Sequence, residues 1–388
     1  MRLSVILTLI LTLVTSLSLT AAPARALSQR SLSSAAPGDV LSSRPTTVYL
    51  LPGKLLEVPV DAWHLLYRST SAVGAPNAVS ATLLVPKAAY PFGRRPVVGY
   101  AVGTHGLGDR CAPSVSMREG RETELALVSL LLLKGFAVAV TDYEGLGTPG
   151  RHTYMAGISQ GRAVLDSIRA ATRTPGAGLS ASAPAGVIGY SQGGASAAWA
   201  AQLQPAYAPE LRLRGAAAGG VPADLKAVAA HLEGKPDFGL AAAAGVGLDA
   251  AYPELDLYAD LNERGRALMA EAENACVGEL SGFAGLRFAD LSPVDLLALP
   301  KWTARLTENR LGAMPPGVPV FLYHATGDQI IPYAVGAELR AAYCRAGVNT
   351  RWTAVPAGNH VLGAVEGAPL AIEWLALRLY GLPALSGC

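Results

Sequence analysis

Apolar and polar positions change rhythm three times along the chain. Residues 63–69 and 77–85 are strand-like runs separated by a turn containing Gly, Pro and Asn, which predicts an antiparallel hairpin. From residue 96 short apolar runs alternate with amphipathic stretches. Strands are expected at 96–101, 136–141, 185–190 and 213–219, and helices at 122–134, 159–171 and 194–203. Residues 222–313 are rich in Ala and Leu, read as helical and contain no convincing strand, ending at Met314-Pro315-Pro316-Gly317. The alternation then resumes, with strands at 319–325 and 350–355 and helices at 332–346 and 369–380. Apolar strands alternating with amphipathic helices predict an α/β fold, a mostly parallel central sheet with helices on both faces. The core is then 27–221 with 314–388. The helical stretch 222–313 is an insertion between two sheet strands, read as a cap above the strand ends; an ordinary helical domain without a covering role is the alternative. Residues 27–50, rich in Ser, Ala and Pro, read as a loosely ordered lead-in.

The strand at 185–190 runs straight into Gly189-Tyr190-Ser191-Gln192-Gly193. This is the pattern of a nucleophile elbow, the strand-to-helix turn of α/β-hydrolases that lifts a serine above the sheet edge. Glycines two residues to either side keep side chains out of the tight turn. The same pattern recurs as Gly157-Ile158-Ser159-Gln160-Gly161, but no buried strand precedes it and a helix begins there, so Ser159 reads as a helix N-cap. Ser191 is therefore the candidate nucleophile. Its hydroxyl needs a base, and the base needs a carboxylate, in the chain order Ser, acid, His. Of the histidines after Ser191, His231 lies in the insertion and His324 lies within an expected strand, where a hydrogen-bonded structural role fits. His360 remains, in a loop just past the last strand. The acid is read as Asp328, on the loop after strand 319–325, against the competing reading of a turn or capping Asp. The N–H of Gln192 is one expected oxyanion donor. The other should come from the glycine-rich loop Gly103-Thr104-His105-Gly106-Leu107-Gly108-Asp109, with Thr104, His105 and Gly106 as candidates; His105 as a second base would stand on the wrong side of the serine in chain order.

Composition narrows the setting. Met1-Arg2, an apolar core from Leu3 and Ala24-Arg25-Ala26 read as a signal peptide over 1–26, with a membrane anchor as the rival reading. That segment holds two basic residues and no acidic ones. Its removal leaves equal numbers of each, which argues against nucleic acid or an anionic membrane surface as a partner chosen by charge. The four cysteines, Cys111, Cys276, Cys344 and Cys388, suggest two disulfides in an exported chain, with three pairings open. None forms a C-x-x-C motif, which argues against zinc, and the serine chemistry read above needs no metal or cofactor.

Several strings together resemble the secretory lipase family, the yeast lipase A type with many actinobacterial members. They are Leu66-Tyr67-Arg68-Ser69-Thr70, Gly106 to Ser114, Thr141 to Gly147, Gly161 to Asp166, the elbow and Gly358-Asn359-His360, spread from about residue 45 to the end. The resemblance implies an α/β-hydrolase with a helical lid after the sixth strand, acting on acylglycerols and other carboxylic esters. It implies Ser191, Asp328 and His360 as the triad, and the pairs Cys111–Cys276 and Cys344–Cys388. The first bridge would tie the glycine-rich loop to the insertion. The chain departs from the yeast type in carrying His105-Gly106 where an acidic residue stands, so no side-chain help to the oxyanion is carried over. The expectation is a secreted serine ester hydrolase, monomeric, taking an acyl ester or lipid and touching a lipid interface transiently through the cap. An acyltransferase with the same triad and a non-catalytic lipid-binding protein on the same fold are the alternatives.

Overall fold

The computed structural model describes residues 29–385 and 387–388; the signal peptide read at 1–26 lies outside them. Eleven strands follow in chain order: β1 (Val40–Pro45), β2 (Tyr49–Leu51), β3 (Leu55–Glu57), β4 (Val60–Thr70), β5 (Pro76–Pro86), β6 (Val97–Ala101), β7 (Ala137–Glu144), β8 (Pro184–Tyr190), β9 (Arg212–Gly219), β10 (Val320–Ala325) and β11 (Thr350–Val355). Nine form one sheet in the order β1-β4-β5-β7-β6-β8-β9-β10-β11, while β2 and β3 pair by themselves. The pairs from β1 to β7 are antiparallel, and those from β7 through β6 to β11 are parallel.

Burial on both faces explains why the central strands read as unbroken apolar runs. Every residue of β6 and β10 is buried. Gly99 of β6, which pairs with Val187 of β8, faces Val164 and Ile168 of the helix Gly157–Arg173. The next position on β8, Gly186, faces Leu375 of the helix His360–Leu379. The two helices therefore cover opposite faces. Gln192–Tyr207 packs beside the first, and Leu125–Leu133 beside the second. The helix His360–Leu379 is apolar and long enough to cross a membrane by composition, but here it packs on β8, β9 and β10.

Three expectations need correction. The lead-in at 27–50 contains β1, which extends the sheet beside β4. Its residues are half-buried or exposed, so no apolar period marks it. The last helix begins at His360, not near 369, and Pro369 lies inside it. Pro369 cannot donate to the carbonyl of Val365, a residue on the exposed side of the helix. Ser159 is not an N-cap. It lies inside the first turn of Gly157–Arg173, and its hydroxyl donates to Glu144.

The residues between β9 and β10 form helices Leu225–Leu232, Phe238–Ala251, Glu263–Ala272, Phe288–Leu291 and Pro300–Glu308 with short 3-10 turns, and no strand. A polar joint ties this segment to the core. The Oδ1 of Asn309 accepts the N–H of Gly157 at 2.9 Å, while its Nδ2 donates to Tyr252 at 3.0 Å. Asn309 is buried, so Asn309→Ala leaves buried groups unpaired. A loss of about 1–3 kcal/mol is expected, read as a fall of a few degrees in Tm. An unchanged Tm would contradict this joint between segment and sheet.

Candidate active site

β8 ends at Tyr190 and the helix Gln192–Tyr207 begins two residues later, so the whole turn falls on Ser191. Its φ of 59° and ψ of −122° lie in a region that L-residues seldom occupy, at a cost of about 1–3 kcal/mol. The flanking glycines make the turn sterically feasible. A Cβ on Gly189 would lie 2.3 Å from the Gly193 carbonyl oxygen, and one on Gly193 would lie 2.0 Å from that of Ala101. The Ser191 N–H donates to the Gly219 carbonyl of β9 at 2.9 Å, fixing the turn to the sheet. The Ser191 hydroxyl makes no hydrogen bond among the described residues and lines a cavity.

Asp328 and His360 meet across the ends of β10 and β11. The Nδ1 of His360 lies 2.6 Å from Oδ2 of Asp328. The other carboxylate oxygen accepts the N–H groups of Ile330 and Ile331 at 3.0 and 2.8 Å. Asp328 thus holds its own turn with one oxygen and the imidazole of His360 with the other. His324, on β10, donates to neighbouring acceptors through Nε2, with the Ile331 carbonyl at 2.9 Å and Asp328 Oδ2 at 3.4 Å. It is buried, as the structural reading expects. Burial opposes ionisation of Asp328, but hydrogen bonds from His324, His360 and the Ile331 N–H outweigh it and hold the carboxyl well below the usual range.

His360 is anchored on three further sides. Its N–H donates to Gln329 Oε1 at 3.0 Å, its carbonyl accepts the Tyr190 hydroxyl at 2.7 Å, and the Tyr190 ring lies 4.9 Å from the imidazole. It is the first helical residue rather than a loop residue; the side chain of Asn359 caps the helix by accepting the Leu362 N–H. Gln329 and Tyr190 escaped the sequence reading, although each adjoins a residue it selected.

The glycine-rich loop leaves β6 beside the elbow. Both expected disulfides are present, Cys111–Cys276 and Cys344–Cys388. The first ties the end of this loop to the helical segment. Beside it, the Leu107 N–H donates to Ala275 at 2.8 Å and the Val277 N–H to the His105 carbonyl at 2.9 Å. Gly106 has a φ of 120°, and a Cβ there would lie 2.3 Å from the Ala275 carbonyl oxygen, so glycine is required. Gly103 donates its N–H to Glu124 Oε1 at 2.7 Å. The N–H groups of Thr104, His105 and Gly106 donate to no described residue, which leaves the three candidates open among themselves.

Ser191 and Gln192 line a cavity with mostly apolar walls. Ile330 and Ile331 join it from the Asp328 turn, as do Tyr154 and Met155. Most of the wall comes from the helical segment, including Leu225, Leu232, Leu248, Phe288 and Trp302. His231, the remaining downstream histidine, does not line this cavity and has Nε2 2.9 Å from the Gln329 carbonyl. Among the described residues no cluster of His, Cys, Asp or Glu has the arrangement of a metal site.

The sheet order, the parallel core and the serine turn define an α/β-hydrolase. Candida antarctica lipase A shares the fold, with a TM-score of 0.83, 24% identity and coverage of 92% of this chain and 85% of that one. A rice cell wall degrading esterase from Xanthomonas oryzae superposes with a TM-score of 0.71 and 19% identity, covering 90% of this chain and 99% of that one. The family model for secretory lipases matches residues 118–387, and the chain belongs to that family and is a carboxylic ester hydrolase. Lipase 5 of Candida albicans is 32% identical over 91% of this chain and 80% of its own length. A secreted triacylglycerol lipase of Malassezia globosa is 31% identical over 90% and 79%. A probable inactive lipase of Mycobacterium tuberculosis is 32% identical over 90% and 80%.

Two outcomes follow from this geometry. Gly193→Ala forces a methyl into the Ala101 carbonyl, so Tm should fall by several degrees; a variant that melts like the parent contradicts the elbow packing. A depressed carboxyl adds stability that is present above its unfolded value and is lost as pH falls through the folded one. The stability gap between the parent and Asp328→Asn should therefore narrow as pH falls below about 4. A gap that stays unchanged down to about pH 2 would contradict the depressed Asp328.

Proposed function

We propose that this protein is an extracellular lipase or esterase that cleaves acylglycerols and related esters through an acyl-enzyme on Ser191. The observation that carries the reading is the 2.6 Å Asp328–His360 bond, made by a turn whose next residues line the same apolar cavity as Ser191. With Nδ1–H held by Asp328, the imidazole presents Nε2 as the base. Ser191 Oγ gives its proton to Nε2 and bonds to the ester carbonyl carbon. The carbonyl oxygen takes the negative charge against the Gln192 N–H and one of the unpaired loop N–H groups, His105 and Gly106 among them. Collapse expels the alcohol, which takes the proton from Nε2. Water, activated by the same imidazole, then releases the acid and restores Ser191. Each step uses groups of the chain itself.

The apolar wall supports an aliphatic acyl chain as the bound half of the substrate, since burying each methylene is worth about 0.8 kcal/mol. In this reading residues 222–313 are the cap that holds the chain, and residues 1–26 direct export. The family's secretory character and the secreted Malassezia relative support the extracellular setting. All proposed groups come from one chain, so a monomer meeting the lipid interface transiently through the cap suffices.

A series of p-nitrophenyl esters from acetyl to palmitoyl tests the reading. Ser191→Ala should lose at least about 10⁴-fold of the activity on every ester. Gly245 lines the cavity, and a Cβ there meets Leu257 only at 3.9 Å, so Gly245→Phe has room to fill the cavity. It should lose activity on the long esters and keep it on acetyl. Retention of most activity by Ser191→Ala, or uniform loss across the series in Gly245→Phe, would overturn the respective assignment.

A further inference from the structure

His105 stands where nothing in the triad chemistry needs a histidine side chain, yet it is the centre of a buried charged cluster beneath the candidate oxyanion loop. Its Nδ1 lies 2.9 Å from the Gly103 carbonyl oxygen, and its Nε2 lies 2.8 Å from Oε2 of Glu122. Both neighbours are acceptors. Glu122 itself receives the Ser116 hydroxyl at 2.5 Å and the Glu124 N–H at 3.0 Å, which marks it as a carboxylate. A neutral imidazole has one N–H and would leave one of its two contacts unmade, so the geometry calls for the imidazolium. The Glu122 side chain is fully buried and that of His105 is 13% exposed, a setting in which an unpaired charge is costly.

We propose that the His105–Glu122 ion pair is the positioning device of the oxyanion loop, holding its backbone so that the unpaired N–H groups face the carbonyl oxygen of an ester bound at Ser191. This rests on the triad reading above. The loop is pinned at both ends. At its start Glu124 accepts the Gly103 N–H and the Tyr100 hydroxyl, at 2.7 and 2.8 Å, while the His105 ring donates to the Gly103 carbonyl. At its far side the His105 carbonyl and the Leu107 N–H are bonded to the segment around Cys276. Thr104 Oγ1 is bonded to the Tyr154 hydroxyl at 2.8 Å. What remains without a partner is the N–H set of Thr104, His105 and Gly106. His105 is a positioning residue here, acting through the main chain.

The charge state follows from its surroundings. Burial would lower the His105 pKa, but the Glu122 carboxylate, with help from Glu124 and the Gly103 carbonyl, outweighs burial and raises it to about 9. For Glu122, burial opposes ionisation and the His105 charge pulls the carboxyl below its usual range. Asp142 of β7 and His152 also sense the His105 charge; burial pushes Asp142 up and holds His152 neutral, down at about 4. A raised histidine stabilises its arrangement fully below its ordinary value and loses that contribution as pH rises through about 9.

The test is Glu122→Gln in the full chain, with kcat and KM measured on one soluble ester from pH 6 to 10. The amide keeps the shape and removes the charge. The expected result is a fall in kcat of about 10- to 100-fold with KM changed less than about twofold, because the aligned N–H groups act on the transition state. The alkaline limb of kcat should also move down from near 9. A folded Glu122→Gln with parental kcat and an unmoved limb overturns the proposal. If the variant does not fold, nitrogen-15 NMR of His105 in the parent protein decides. A ring doubly protonated through pH 8 that loses its proton together with the fall in kcat supports the clamp; a ring already neutral at pH 7 overturns it. Ser191→Ala separates the two readings: if it keeps activity the triad fails and this proposal with it, whereas an inactive Ser191→Ala beside a parental Glu122→Gln sinks the clamp alone.

Discussion

The passage from β8 into the next helix turns through one residue, Ser191, whose backbone is held at a φ of 59°. That conformation survives only because Gly189 and Gly193 allow β6 and the helix to close around it, and because β9 takes the Ser191 N–H. Much of the chain can be read as the support for this turn. The parallel strands set the heights at which the loops after β6, β10 and β11 emerge, and those loops bring Gly103–Gly106, Asp328 and His360 to the same end of the sheet. Tyr190, the last residue of β8, completes the arrangement by bonding to the His360 carbonyl.

The helical segment between β9 and β10 is joined to this platform at polar points and supplies apolar surface between them. Asn309 caps the helix at Gly157, Cys276 is bonded to Cys111, and Arg151 pairs with Asp249 and Glu273. The side chains this segment contributes to the cavity at the serine are instead mostly Leu and Ala, with Val228, Met269, Phe288 and Trp302. Covalent and hydrogen-bonded joints fix where the segment sits. The apolar wall sets what it will hold, since an aliphatic chain gains by leaving water and a charged group would lose its hydration.

The central sheet was legible because strands buried on both faces are continuous apolar runs and the helices between them are amphipathic. β11 falls at the expected residues, and β6, β9 and β10 differ only at their starts. The elbow was legible for a similar reason, since glycine spacing reports a local steric demand. What stayed hidden depends on partners far along the chain. Ser159 looks like a cap until Asn309, about 150 residues away, takes that place. β1 has no apolar period because it sits at the sheet edge with most of its residues exposed. The Glu122 and Glu124 contacts to the loop at Gly103 and His105 link two polar stretches that look like ordinary surface in one dimension. The start of the last helix was hidden by Pro369, which in a sequence reads as a helix start or break although here it lies inside the helix.

The duplicated pentapeptide makes the central assignment unusually easy to test. A fluorophosphonate reacts only with a serine activated by a base and aligned with an oxyanion site, and peptide mapping locates the adduct. Labelling of the whole chain at one equivalent, on the peptide containing Ser191 and with simultaneous loss of ester hydrolysis, is the predicted result. An adduct on Ser159, or undiminished hydrolysis after complete labelling, would contradict it.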